Sequence, residues 1–452
     1  MAYTETTTTG YGTRVGNSFK GILTGFLLFC AGTAILWWNE GRTVKTDKML
    51  NEAEKVCVDM ENPNKKDASL EGELVCATAM ATTEDSLVDT QFGIGAKAIS
   101  LQRRVEYYQW VEESHSKSED KLGGKEVTTT TYTYHKEWVS SPVASSAFKD
   151  PVYQDKNFVL TTIEEEEQWA ENVAFGAYKL NDGLIRSISS HEAMELAISE
   201  DLLKQFDQAA KTAYERFYGP TASAQEPVQE PAQVVAESDS AALVADSIKA
   251  VNDSLMANAE NKVSLDFVHQ AGNVLYYGRV PGSPEVGDVR VTFEVVVPAK
   301  VTIISQVDGD TFKHFKAKNG KRFQTLVMGK KTSEEIFEAE HDANDMLKWI
   351  LRVIGILMVI AGLKGIFGFL ETILKVVPFL ANIFGWGVGL VCTVLGIAWS
   401  LIVIAIAWLF YRPLLGILLL AIAGFLVWVL AFKGKDKLME MATKKKEPEV
   451  EA

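Results

Sequence analysis

Apolar positions are unevenly distributed along the chain and collect at its two ends. Phe19 to Trp38 is a run of 20 residues with one charge, Lys20, at its start. At 1.5 Å rise per residue a helix of that length matches the ~30 Å hydrocarbon core of a bilayer. Trp37 and Trp38 close the run where interfacial aromatics sit. No small-x-small cleavage site follows before Asn39-Glu40, and bulky Phe29 precedes Cys30 where a lipoprotein site wants a small residue. The run therefore reads as a retained first span, 19–38, rather than a signal peptide. From Leu347 to Phe432 the only charges after Lys348 are Arg352, Lys364, Glu371, Lys375 and Arg412. That block reads as three more spans, 347–370, 385–410 and 413–432, with Val376–Phe384 as an interfacial or re-entrant lead-in around Pro378. Tyr411-Arg412-Pro413 is its polar break, and Pro413 suits the first turn of a new helix. Gly385-Trp386-Gly387-Val388-Gly389 offers small residues where helices can approach.

Between 39 and 346 the periodicity changes to that of a mixed α+β domain. Arg103–Glu112 and Val127–Trp138 are rich in Val, Tyr, Thr and Trp, and Ser114–Lys125 between them ends in Gly123-Gly124, which predicts a β-hairpin with a polar loop. Glu164–Trp169 is a candidate short helix. His191–Tyr218 has helical spacing and stops at Gly219-Pro220. Residues 219–240, rich in Ala, Gln, Glu and Pro, read as a flexible linker, and Ala241–Ala259 as a second amphipathic helix. Strands are expected at Val274–Arg279, Val289–Val297, Lys300–Gln306 and Arg322–Val327, with a turn at Asp308-Gly309. Thr332 and Glu335 form a capping-box pattern for a helix running directly into the second span.

Charge adds an orientation. The 452 residues carry 45 basic and 59 acidic side chains, net −14. Segments 1–38, 346–432 and 433–452 carry +1, +4 and +1, which leaves −20 on 39–345. An acidic polar region argues against nucleic-acid binding and is repelled by anionic headgroups. Lys433, Lys435, Lys437 and Lys444–Lys446 follow the last span, so the positive-inside rule puts the tail 433–452 in the cytosol. Four spans then make the N-terminal segment 1–18 cytosolic too, with 39–346 across the membrane, extracytosolic or lumenal.

Catalytic patterns are sparse. The six histidines are dispersed. His191-Glu192-Ala193-Met194-Glu195 opens like a zinc-protease helix, but Glu195 stands where the second His belongs. Gly329-Lys330-Lys331-Thr332 lacks the upstream Gly of a phosphate loop. No metal, cofactor or catalytic set is expected. Cys57 and Cys76, 19 residues apart, either pair in an oxidising compartment or remain thiols.

Several clusters have both structural and functional readings. Asn39-Glu40-Gly41-Arg42 is either a helix stop, with Gly41 turning the chain, or a Glu40–Arg42 ion pair tying the span to the domain. Along Arg103–Val111, Arg104, Glu106, Tyr108 and Trp110 share one strand face, and Val105, Tyr107, Gln109 and Val111 the other. Pro284-Glu285-Val286-Gly287-Asp288-Val289-Arg290 is a turn entering a strand, on which Asp288 and Arg290 can pair. Arg412 is a loop residue or a headgroup contact.

These clusters, in this order, resemble the LUMA (transmembrane protein 43) family: Asn39-Glu40-Gly41-Arg42, Val105–Glu112, Pro284–Val291 and Trp408-Leu409-Phe410-Tyr411-Arg412-Pro413-Leu414, with Thr133-Tyr134 to Glu137-Trp138 also fitting. The resemblance covers about 19–430. It implies a four-span protein with a large lumenal domain that self-associates and organises membrane protein complexes. In animals it implies the ER and inner nuclear membrane, with lamin and emerin partners. For a bacterial member it implies the cytoplasmic membrane and no lamin-type partner. It supplies no catalytic residues. Segment 192–262 departs from the family by looking expanded. The expectation is a non-enzymatic membrane scaffold in a lipid bilayer, a homo-oligomer contacting other membrane proteins. A membrane-anchored sensor or enzyme with a ligand site in the large domain is the competing reading.

Overall fold

The computed structural model describes residues 2–219, 265–374 and 378–413. The expected linker 219–240, apart from Gly219, the helix at 241–259 and the span 413–432 beyond Pro413 lie outside the described residues.

Helix α1 (Tyr11–Val56) is 46 residues long and carries the first apolar run in its middle. Helix α2 (Glu200–Tyr218) belongs to the domain. Helix α3 (Ser333–Leu374) runs without a break from the domain into the second apolar run. Helix α4 (Pro378–Tyr411) carries the third. Helices α1, α3 and α4 are long and apolar enough to cross a bilayer. The capping box is present and reciprocal: Thr332 N–H donates to Glu335 and Glu335 N–H donates to Thr332 Oγ1. Pro378 is the first residue of α4, so the expected re-entrant lead-in and the third span are one continuous helix.

Two antiparallel-dominated sheets form the domain. The strands used below are β1 (Tyr3–Thr9), β2 (Cys57–Asp59), β3 (Leu74–Thr83), β4 (Ser100–Asp120), β5 (Glu126–Val139), β6 (Glu166–Trp169), β7 (Val173–Phe175), β8 (Tyr178–Lys179), β9 (His191–Ala193), β10 (Val268–Ala271), β11 (Val274–Tyr277), β12 (Val289–Val296), β13 (Ala299–Asp308), β14 (Thr311–Lys313) and β15 (Thr325–Met328). The first sheet is ordered β1-β5-β4-β12-β11-β10, with β6 on β4 and β9 on β12. The second is β8-β7-β3-β13-β14, with β15 on β13 and β2 parallel to β3. Phe92, Leu203 and Tyr214 cover Val291 and Phe293 of the first sheet. Phe175, Ile185 and Phe312 fill the core of the second. Met49, Leu50 and Ala53 of α1 and Ile336 and Phe337 of α3 are buried against Cys76, Ile304 and Phe323. Both membrane helices thus end inside the domain core.

The expected hairpin is there but longer. Strands β4 and β5 pair from Tyr107↔Val139 to Asp120↔Glu126, so Ser114–Asp120 is strand rather than loop. Gly123 and Gly124 turn it at φ +84° and +77°. Two local readings change. Glu166–Trp169 is a strand on β4, because its backbone completes that edge. His191–Ala193 pairs with β12, and helix begins only at Glu200, after the Ser199 cap.

The N-terminal segment is the largest difference. Residues 1–18 were expected as a cytosolic N-terminal segment, and no strand was expected there. Strand β1 instead pairs with β5 over Tyr3↔Tyr132 to Thr9↔Glu126. Arg14, buried at the start of α1, binds Asp120 at 2.7 Å and the Gly124 carbonyl at 3.1 Å. The tip of the β4–β5 ribbon therefore sits at the far end of α1. From Tyr107 to Asp120 a strand reaches ~43 Å, and from Arg14 to Asn39 a helix reaches ~38 Å. The β4–β5 ribbon thus reaches from the domain to the start of α1, three-stranded only where β1 pairs with Glu126–Tyr132. Its Ser, Lys, Glu and His side chains at 113–119 are exposed.

Close helix packing uses glycines other than those expected. Among the described residues nothing lies within 4 Å of a Cβ on Gly387 or Gly389. A Cβ on Gly25 would lie 2.7 Å from the Gly362 carbonyl, and one on Gly32 would lie 2.9 Å from the Gly355 carbonyl. Antiparallel α1 and α3 approach through Gly25 and Gly32 on one side and Gly355, Gly362 and Gly365 on the other. Replacing Gly25 by Leu should force the helices apart and cost about 1–3 kcal/mol. The same change at Gly387 should leave the melting temperature of the detergent-solubilised protein within a degree or two. Equal losses at the two positions would disprove this packing.

Candidate functional site: the polar junction above the membrane helices

Where the apolar run of α1 ends, helical geometry and charge have to be reconciled. Asn39-Glu40-Gly41-Arg42 does not stop the helix. α1 continues to Val56, and Asn39, Glu40 and Gly41 are buried. The reason lies on the neighbouring helices. Arg352 of α3 donates from Nε to Glu40 Oε1 at 2.7 Å, and Trp408 of α4 donates from Nε1 to Oε2 at 2.8 Å. Glu40 is 2% exposed and Arg352 7%. The guanidinium also lies over the rings of Trp349 and Trp408, at 4.8 and 5.6 Å. The expected Glu40–Arg42 pair is replaced because side chains two residues apart on a helix point to different faces. Arg42 instead donates to Asn344 Oδ1 at 2.9 Å.

The network extends upward in ladder fashion. Asn39 Nδ2 donates to the Lys348 carbonyl at 2.9 Å. Asn344 Nδ2 donates to Asp47 Oδ1 at 2.6 Å, and Arg412 Nη2 donates to Asp47 Oδ2 at 2.7 Å. Gly41 is needed for a different reason from the one expected: a Cβ there would lie 2.6 Å from the Tyr411 ring. Arg412 is therefore held on α1 rather than left in a free loop, and Pro413 follows it as a helical residue. Eight hydrogen-bonding side chains from α1, α3 and the end of α4 join the three helices. Sequence reasoning singled out Asn39, Glu40, Arg42 and Arg412 but missed Asp47, Asn344, Arg352 and Trp408 as their partners. The usable signal was Arg352 itself, a charge inside an apolar run that requires a counter-charge.

The other motif residues lie in the first sheet. Arg290 and Glu106 face each other across β12 and β4 and form an ion pair at 2.6 Å, with Arg290 over the Trp138 ring at 4.5 Å. The expected Asp288–Arg290 pair is not formed. Asp288 is buried in the opposite direction, accepting from the Tyr276 hydroxyl and from Glu285 N–H at 2.8 Å. Burial pushes its carboxyl up to about 8. The phenol of Tyr276 is raised by the same burial and by the adjacent carboxylate. Gly287 has φ +105° and the Phe158 ring packs where a Cβ would be, so Pro284–Gly287 is a turn that requires glycine. Tyr107 donates to the Ile163 carbonyl at 2.6 Å, and Gln109 to the Phe158 carbonyl at 3.0 Å. The backbone N–H of Trp110 donates to Asn157, and its ring packs edge-on against Tyr153. Glu285 accepts from Tyr214 at 3.4 Å. The strand alternation anticipated for Arg103–Val111 matches the burial pattern.

Cys57 and Cys76 are free thiols on neighbouring strands, and burial raises them to about 12 and about 11. They are poor nucleophiles for that reason. Among the described residues no three His, Cys, Asp or Glu side chains converge on a metal position.

A family model described as Transmembrane protein 43 matches residues 107–413, more than half of the chain. Transmembrane protein 43 of Rattus norvegicus is 27% identical over 422 residues, covering 91% of this chain and 89% of that protein. The Homo sapiens protein is 26% identical over 426 residues, covering 92% and 90%. The Transmembrane protein 43 homolog of Drosophila melanogaster is 25% identical over 414 residues, covering 90% and 93%. No solved structure matches the chain.

Two outcomes are expected. Glu40→Ala strands the Arg352 charge beside hydrocarbon and should destabilise the solubilised protein by about 3–5 kcal/mol. Glu40→Ala with Arg352→Ala should cost much less than the sum of the two single changes, measured as a thermal double-mutant cycle. Additive losses would exclude the pair. In the domain, Asp288 stays protonated in the folded state up to about pH 8, against an ordinary value of 3.8. Its contribution is present below pH 4 and is lost as pH rises toward 8, on the order of a few kcal/mol. Asp288→Asn should flatten the decline in melting temperature between pH 5 and pH 8, and an unchanged slope would reject this assignment.

Proposed function

The chain belongs to the transmembrane protein 43 family, and on that premise we propose that it is a non-catalytic, multi-pass membrane scaffold that self-associates and holds other membrane proteins. The bilayer itself follows from the three membrane-length helices. The rest is a reading. It includes a fourth span at 413–432, both termini in the cytosol and the bulk of the large domain across the membrane. The Lys-rich tail after Phe432 supports that orientation.

One observation carries self-association. The ribbon β1-β5-β4 runs beside the apolar helices, yet its side chains at 113–119 are polar and exposed, and the outer edge of β1 is unpaired among the described residues. Hydrocarbon cannot solvate open backbone edges or such side chains. At membrane depth they require a protein neighbour or a water-lined cavity. A second copy supplies either one. Arg14 and the β1 pairing pin the ribbon along the bundle, so this demand is built into the folded chain.

The test is native mass spectrometry of the full chain released from membranes in mild detergent. A discrete homo-oligomer is expected. Breaking the ribbon with Thr129→Pro, which removes a donor from the central strand, should shift the population to single chains. A wild-type protein that is monomeric throughout would end the scaffold reading.

A further inference from the structure

One face of α1 carries two cavities in succession. The lower one, of about 450 Å³, lies between α1 and α4 and is lined by Phe29, Cys30, Ala34, Trp37, Val403 and Ile406. It is almost wholly apolar. The upper one, of about 420 Å³, is lined by Val44, Asp47, Lys48, Asn51 and the Tyr411–Pro413 end of α4. The α1 positions 30, 34, 37, 41, 44, 48 and 51 alternate spacings of four and three, so both cavities share one helical stripe. Between them Trp37 packs on Phe410 and Tyr411, with centroids 5.7 and 5.8 Å apart, and Tyr411 lies on Gly41. That aromatic belt marks the level of the membrane interface.

We propose that this stripe is a binding site for a single anionic phospholipid, with an acyl chain in the lower cleft and its phosphate in the upper notch. The charge arrangement selects the headgroup. Asp47 is already engaged on both oxygens, by Asn344 and Arg412. Lys48 is exposed and makes no ion pair among the described residues, and Arg412 commits only Nη2 to Asp47. The notch therefore presents a net positive charge with unused donors immediately above an apolar cleft. Guanidinium and ammonium groups side by side suit a phosphate oxygen pair. The site uses the junction Arg412–Asp47 but does not depend on self-association.

The experiment uses the full chain in detergent, washed free of bulk lipid and then exposed to phosphatidylglycerol, phosphatidylcholine or inorganic phosphate, with adducts read by native mass spectrometry. One phosphatidylglycerol per chain should be retained, at least tenfold more than phosphatidylcholine. Lys48→Glu, at an exposed position, should cut retention tenfold or more. Ala34→Trp, which fills the lower cleft, should do the same. Inorganic phosphate in millimolar excess should not displace the lipid. Retention that ignores both variants would overturn the site, as would displacement by phosphate alone, which would reduce the notch to a simple anion site. A high-yield disulfide between Ala34→Cys and Leu420→Cys would show that the chain's own segment 414–432 fills the cleft, and would also overturn the proposal. Unchanged elution of each variant on size exclusion separates lost binding from lost folding.

Discussion

A carboxylate at the edge of a membrane helix cannot be left alone, and much of this architecture follows from Glu40. Its charge is removed from water by three packed helices, so desolvation has to be offset by hydrogen bonds on both oxygens. Arg352 and Trp408 supply them, one from α3 and one from α4. The interaction is directional and needs three helices at fixed depth and rotation. Glycine contacts below it bring α1 and α3 close enough for the bonds to form. Asparagine and aspartate rungs above it carry the same alignment into the domain. Strength is not the point of such a pair, since an apolar substitute can be as stable. Its value here is register: a shift of one residue along either helix leaves a buried charge unpaired.

That register extends beyond the bilayer because neither α1 nor α3 ends at the membrane surface. Both continue as helix until Met49, Leu50, Ala53, Ile336 and Phe337 enter the domain core. No hinge residue intervenes, and the capping box at Thr332 fixes where α3 begins. Two unbroken helices therefore join domain and bundle.

Much of this was legible from sequence where the signal is local. Apolar runs located three helices, alternation located most central strands, and the Thr332–Glu335 spacing located a helix start. The motif residues take part in these contacts, but their partners were misassigned when both lay on one element. Glu40 was offered Arg42, and Asp288 was offered Arg290, because sequence proximity is visible and spatial proximity is not. The actual partners lie hundreds of residues away for Glu40 and across a strand pair for Arg290. Gly41 illustrates a second failure: a glycine after an apolar run looks like a helix stop, yet here it clears space for Tyr411. The N-terminal Thr run carried no periodicity that distinguishes a solvated tail from a strand, since its partner, Thr128–Thr131, is equally polar.

That same strand has a temporal consequence. β1 precedes the first membrane helix, yet its partner lies well over a hundred residues later, beyond that entire helix. Closing a loop of that size is entropically unfavourable and slow to search. The first span must therefore exist for a time with its leading end untethered, and the clasp at Arg14 snaps shut only after the ribbon is complete. The segment before the first span thus waits on the hairpin that follows it: β1 and the Arg14 clasp can form only once the β4–β5 ribbon exists.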